Sequence, residues 1–76
     1  MKHIATIRDE SDENEAFIPI DKIDGFFRRA VWQFDHGGQD IKTEVTDILH
    51  GGQISTSYES VKNFMARLIK IEGGNI

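Results

Sequence analysis

Cysteine is absent from this 76-residue chain. Neither a disulfide nor a thiolate metal site can therefore hold it together. Proline, tryptophan and tyrosine occur once each. No apolar run approaches the roughly 20 residues of a membrane-spanning helix, and Met1-Lys2-His3 leads into no hydrophobic region of the signal-peptide kind. The expectation is a soluble, cytoplasmic protein with no membrane partner. A basic stripe is also missing. Nine lysines and arginines against thirteen acids leave a net charge of −4, which makes nucleic acid an unexpected partner. A chain of this length, residues 1–76, makes one domain and buries only about 60% of its unfolded surface. Without a cross-link, its stability must come from a well-packed core or from self-association.

The negative charge is concentrated. Asp9, Glu10, Asp12, Glu13 and Glu15 crowd one short stretch, and the rest of the chain is close to neutral. A solvated turn is the simple reading of such a run, and an acidic patch for a basic partner is the alternative.

The tetrapeptide His-Gly-Gly-Gln occurs twice, at His36–Gln39 and His50–Gln53. A Gly-Gly pair suits a two-residue hairpin loop, because primed turns require positive φ. The intervening Gln39–His50 is long enough for one strand with its flanks. Two-residue loops at Gly37-Gly38 and Gly51-Gly52 fix a register. Phe34 then faces Ile41, Trp32 faces Thr43, Ala30 faces Val45 and Phe26 faces Leu49. In the second hairpin Leu49 faces Ile54, Asp47 faces Thr56 and Val45 faces Tyr58. Both registers gather Phe26, Ala30, Trp32, Phe34, Ile41, Val45, Leu49, Ile54 and Tyr58 on one face, leaving Arg29, Gln33, Lys42, Glu44, Thr46, Ser55 and Ser57 on the other. Phe27 and Ile48 then meet as an apolar spot on the polar side, open to association. Phe26–Asp35 also carries apolar residues at helical spacings, so a helix competes there with the strand. Upstream, Lys2–Arg8 reads as a strand. Ala16–Ile20 reads as a second one, at an edge or ended by Pro19, and Asp21–Gly25 reads as a turn.

Ser60–Glu72 predicts a helix. Ser60 is a good N-cap. Val61, Phe64, Met65 and Leu68 follow at i, i+3, i+4 and i+7, with Lys62, Asn63, Arg67 and Lys70 on the other side. Gly73-Gly74 stops it. Alone it would be marginal in water, so it must dock on the sheet, through Phe64 and Leu68.

Catalytic chemistry is hard to find. Gly-Gly-Gln resembles the motif with which peptide-chain release factors hydrolyse peptidyl-tRNA, but the likeness covers three residues and turn chemistry explains both copies. His3, His36 and His50 show no metal-ligand spacing. Ser55, Thr56, Ser57 and Ser60 lack an adjacent base in the sequence. Arg28 and Arg29 beside Trp32 could form a stacking platform for nucleic acid, but the register sets Arg28 against Asp47 and turns Trp32 to the core. The expectation is therefore no enzyme, no catalytic residue, no cofactor and no metal.

Phe17-Ile18-Pro19-Ile20-Asp21-Lys22-Ile23, a glycine hairpin, and Ile54–Tyr58 running through Glu59-Ser60-Val61 into an amphipathic helix resemble the layout of small FlbD-like proteins. The resemblance implies a compact β-rich domain of the kind associated with flagellar genes. The long middle strand and the acidic loop depart from that pattern, and short orphans of similar layout are common in phages and mobile elements. The fold expected is α+β, an antiparallel meander of four to five strands with one C-terminal helix on one face. The function expected is a protein-interaction module, self-associating as a homo-oligomer and open to a protein partner. Its candidate interaction residues are Asp9, Glu10, Asp12, Glu13, Glu15, Phe27 and Ile48. The alternatives are an acidic phage-type inhibitor of a host nucleic-acid enzyme and a nucleic-acid-binding domain using Arg28 and Arg29.

Overall fold

A computed structural model describes residues 2–9, 15–34 and 37–73. Its strands are β1 (His3–Ala5), β2 (Phe17–Pro19), β3 (Ile23–Phe34), β4 (Asp40–His50) and β5 (Gln53–Ser57), followed by helix α1 (Val61–Glu72). The fold is α+β. The strands divide into two antiparallel sheets, β1-β2 and β3-β4-β5, rather than forming one meander. Pro19 accounts for the break. It ends β2 with φ at −59°, and the chain passes through a 3-10 turn at Ile20–Lys22 before β3 begins. Its missing N–H and fixed φ favour that change of direction.

The second hairpin has the expected register, with Leu49 opposite Ile54 and Asp47 opposite Thr56. Gly51 and Gly52 both take positive φ, 56° and 78°, as a type I′ turn requires. No other atoms crowd their Cα positions, so a side chain there would meet backbone strain and no clash. Replacing both with valine should therefore cost about 2–4 kcal/mol, taking roughly 1–2 kcal/mol for each left-handed residue. Thermal unfolding followed by circular dichroism would measure it, and an unchanged melting temperature would disprove the turn.

Phe26–Phe34 is strand and not helix, but its register differs by one residue from the expected one. Phe34 pairs with Asp40, Trp32 with Lys42, Ala30 with Glu44 and Phe26 with Ile48. Of the first glycine pair only Gly38 has positive φ, 79°, so Gly37-Gly38 is not a primed two-residue turn. An odd number of residues separates Phe34 from Asp40, and an odd loop shifts cross-strand partners by one. The shift brings Ile48 onto the face of Phe26, beneath the helix. Phe27 stays on the opposite face, now across from Asp47.

The core lies on that first face. Ile4, Ile18, Ile48 and Phe64 are fully buried, with Ala16, Ile20, Ile23, Phe26, Leu68 and Ile71 packed around them. The Phe26 and Phe64 rings meet edge to face, with centroids 5.0 Å apart. At the start of α1, Ser60 Oγ accepts from the Asn63 N–H at 3.1 Å. Glu44, on β4, accepts from the Val61 N–H at 2.7 Å, placing an acid at the positive end of the helix. At the other end the Gly73 N–H donates to the Ile69 carbonyl at 2.8 Å. The docked stripe is Phe64, Leu68 and Ile71, whereas Met65 is exposed.

Arg67 does not lie on the solvent side as expected. It donates to Glu59 Oε1 at 2.8 Å and to the Ala5 carbonyl at 2.9 Å. Glu59 is buried, and it also accepts from Asn63 Nδ2 at 2.7 Å and from the Ser57 hydroxyl. Ser57 Oγ in turn accepts from the Ile7 N–H at 2.8 Å. This polar cluster ties β1, β5 and α1 together. Among the described residues every buried side-chain polar atom has a partner.

Candidate interaction surface

β3 and β4 run for 12 and 11 residues, whereas β5 pairs only with Thr46–His50 of β4. Beyond that stretch the two long strands continue as a two-stranded arm in a molecule 43 Å long. A two-stranded ribbon is marginally stable by itself in water, so the side chains on this arm matter. Trp32 is 68% exposed there. Alternation along β3 keeps it on the same face as Phe26, Arg28 and Ala30, but it stands out on the arm beyond the buried core; the shifted register sets Lys42 opposite it, and Lys42 Nζ lies 6.0 Å from its ring centroid.

The other face of the sheet is turned away from α1. Phe27, Leu49 and Ile54 form a solvent-facing apolar group at its base, with Ile54 61% exposed and Phe27 44% exposed. Leu49 lies between Gly25 on β3 and Ile54 on β5, and the absent side chain at Gly25 leaves it uncovered. Ile41, farther along the arm, is also exposed. The expected grouping of Val45, Leu49 and Ile54 on one face is therefore present, but the helix packs on the opposite one. The apolar spot expected from Phe27 and Ile48 does not exist as a pair. Ile48 is fully buried in the core, and Phe27 joins Leu49 and Ile54 instead.

Both arginines of the suggested nucleic-acid platform are engaged within the chain. Arg28 Nε lies 3.3 Å from Glu44 Oε2. Arg29, not Arg28, meets Asp47, with Nε 2.6 Å from Oδ2. The Thr56 hydroxyl donates to Asp47 Oδ1 at 2.7 Å. Burial alone would raise the Asp47 carboxyl, but the hydrogen bonds from Arg29 and Thr56 and the arginine charge outweigh it and hold its pKa below the ordinary value. Such an acid has little chance of being protonated near neutrality, and its arginine is correspondingly occupied.

Of the acidic loop, Glu10, Asp12 and Glu13 lie outside the described residues. Asp9 accepts from Gln33 Nε2 on the arm at 3.1 Å, and Glu15 is exposed. Glu15 lines a groove of about 310 Å³ with Arg8, Thr56 and Tyr58. At the second hairpin His50 Nε2 lies 2.7 Å from Ser55 Oγ. A histidine does therefore stand beside one of the serines, two positions off the cross-strand pair and invisible to sequence adjacency. His36 lies outside the described residues, and among those described no group of three or more histidines and acids is placed to hold a metal.

Sequence reasoning missed the cluster of Glu59 and Arg67. Its trace is the four-residue spacing of Glu59, Asn63 and Arg67, which puts Asn63 and Arg67 along one line of the helix with Glu59 just before its N-cap. Comparison with protein-family models, with curated proteins and with solved structures found no match, so the function has to be read from these residues.

Proposed function

We propose that this chain is a non-catalytic protein-interaction module that self-associates through its long hairpin. One observation carries the reading. The outer edge of β3, Ile23–Phe34, is joined to no other strand among the described residues. Edge strands are templates for pairing, and proteins that must stay single usually keep them short, interrupt them with proline or cover them. β3 is 12 residues long and contains no proline. The exposed Phe27 and Trp32 beside that edge add apolar area that association would remove from water. The nucleic-acid alternative loses support, because its two arginines are already paired with Glu44 and Asp47.

Sedimentation equilibrium at micromolar concentration tests the proposal. The expected result is a mass that rises with concentration above that of a single 8.7 kDa chain. A mass of one chain at every concentration would end it.

A further inference from the structure

We infer that the partner of the β3 edge is β3 of a second copy, running antiparallel about a two-fold axis at Ala30 and making one continuous six-stranded sheet. This rests on the self-association proposed above and adds which strand pairs and in what register.

The backbone decides which groups are on offer. Across a two-residue primed turn the flanking residues form a hydrogen-bonded pair, here His50 and Gln53. Even-numbered residues of β4 then point their N–H and C=O groups towards β5, and odd-numbered ones towards β3. The bond from the Tyr58 N–H to the Ile7 carbonyl fits this alternation, since it turns the even-numbered residue just after β5 away from β4. Carried across the register of β3 and β4, the same alternation aims Phe26, Arg28, Ala30, Trp32 and Phe34 outward at the free edge.

A two-fold axis perpendicular to the sheet keeps each face on its own side, so it must pass through a residue and not between two. Charge selects among the possible residues. An axis at Arg28 or Arg29 sets that arginine against its own copy, and like charges directly opposite are destabilising. An axis at Ala30 avoids this. It sets two small side chains against each other, Arg29 against Val31, and Arg28 against Trp32 of the second copy. Arg28 and Trp32 are both exposed and lie on the same face, and the Arg28 side chain stays 70% exposed beside Glu44, so the guanidinium can keep that ion pair and still rest on the indole ring in a cation–π contact made twice. The axis at Ala30 also hydrogen-bonds all five outward residues of each strand. Moving it to Val31 leaves Phe26 unpaired.

Single-cysteine cross-linking reads the register directly, because the chain contains no cysteine of its own. At the axis, Ala30 and its copy would have Cα atoms about 5.5 Å apart, within the disulfide range of roughly 4.4–6.8 Å. Copies of position 28, or of position 32, would be about 14 Å apart. Under mild oxidation Ala30→Cys should form the covalent dimer, while Arg28→Cys and Trp32→Cys stay monomeric on a denaturing gel. Equal cross-linking at all three positions, or most at 28 or 32, overturns the register and leaves self-association standing. A parental chain that sediments as a monomer overturns both.

Two charge variants supply an independent readout, with circular dichroism confirming that each is folded. Trp32→Lys should raise the dimer dissociation constant about tenfold over Trp32→Glu, because one faces Arg28 of the second copy with a like charge and the other with an opposite charge. Equal weakening by the two would point to unspecific apolar association and overturn the pairing.

Discussion

Replacing Phe64 with alanine is expected to remove about 3–5 kcal/mol of folding free energy, the cost of deleting a fully buried phenylalanine and leaving a cavity. Phe64 has no exposed surface, and it joins Ile4 and Ile18 of the small sheet to Ile48 of the large one. Losing its ring also loses the edge-to-face contact with Phe26, worth up to about 1 kcal/mol beyond the area buried. Whole domains are commonly stable by only about 5–15 kcal/mol, so the variant should be largely unfolded at moderate urea concentrations. Lys62→Ala, on the exposed face of the same helix, should leave the urea midpoint unchanged. Similar shifts from both substitutions would show that the helix does not dock through this ring.

Glu59→Gln is expected to cost about 3 kcal/mol. The substitution keeps shape and removes charge, stranding a half-buried Arg67 whose guanidinium is ion-paired with no other acid among the described residues. Breaking a buried pair from one side costs about 3–5 kcal/mol, and the partial exposure of Arg67 argues for the lower end. The same pair gives the fold an acid-sensitive component. Burial alone would raise the Glu59 pKa, but hydrogen bonds from Arg67, Ser57 and Asn63 and the charge of Arg67 bring it below the ordinary 4.5. As pH falls below that value the unfolded chain takes up the proton first. The stabilisation is therefore complete above about pH 4.5 and is lost as pH drops through the folded-state pKa. Urea midpoints measured between pH 7 and pH 3 should fall more steeply for the parent chain than for Glu59→Gln. Parallel curves would mean that Glu59 carries no such linkage.

Local chemistry made the helix and the second hairpin readable. Ser60, the spacing of Phe64 and Leu68, and the Gly51-Gly52 pair each act on their immediate neighbours, and no distant contact overrides them. The first hairpin was less legible because one residue of loop length decides it. Gly37-Gly38 has the same sequence as the other pair, yet only Gly38 turns left-handed, and the odd loop exchanges the faces of two long strands. That exchange is favoured at a distance. It brings Ile48 under Phe64 and Asp47 within reach of Arg29, and neither gain shows in the turn itself. The choice of face had a similar cause. Either side of the sheet could have received a helix on hydrophobicity alone. Ser57 and Thr46 look solvent-facing in sequence, yet both are buried because their hydroxyls have specific partners. The candidate surface was legible only in outline. Phe27 is exposed and Ile48 is buried, and Trp32, expected in the core, is on the arm.

The position of Trp32 has a practical consequence for fluorescence. It is the chain's only tryptophan, and its indole is already mostly in water in the folded state. Its emission should therefore be red-shifted before any denaturant is added and should change little as the core melts, so that an emission-based unfolding curve would under-report stability losses from Phe64 or Glu59. The same indole would report well on whatever settles against the arm. A blue shift and weaker quenching by iodide as concentration rises would record the water leaving that ring.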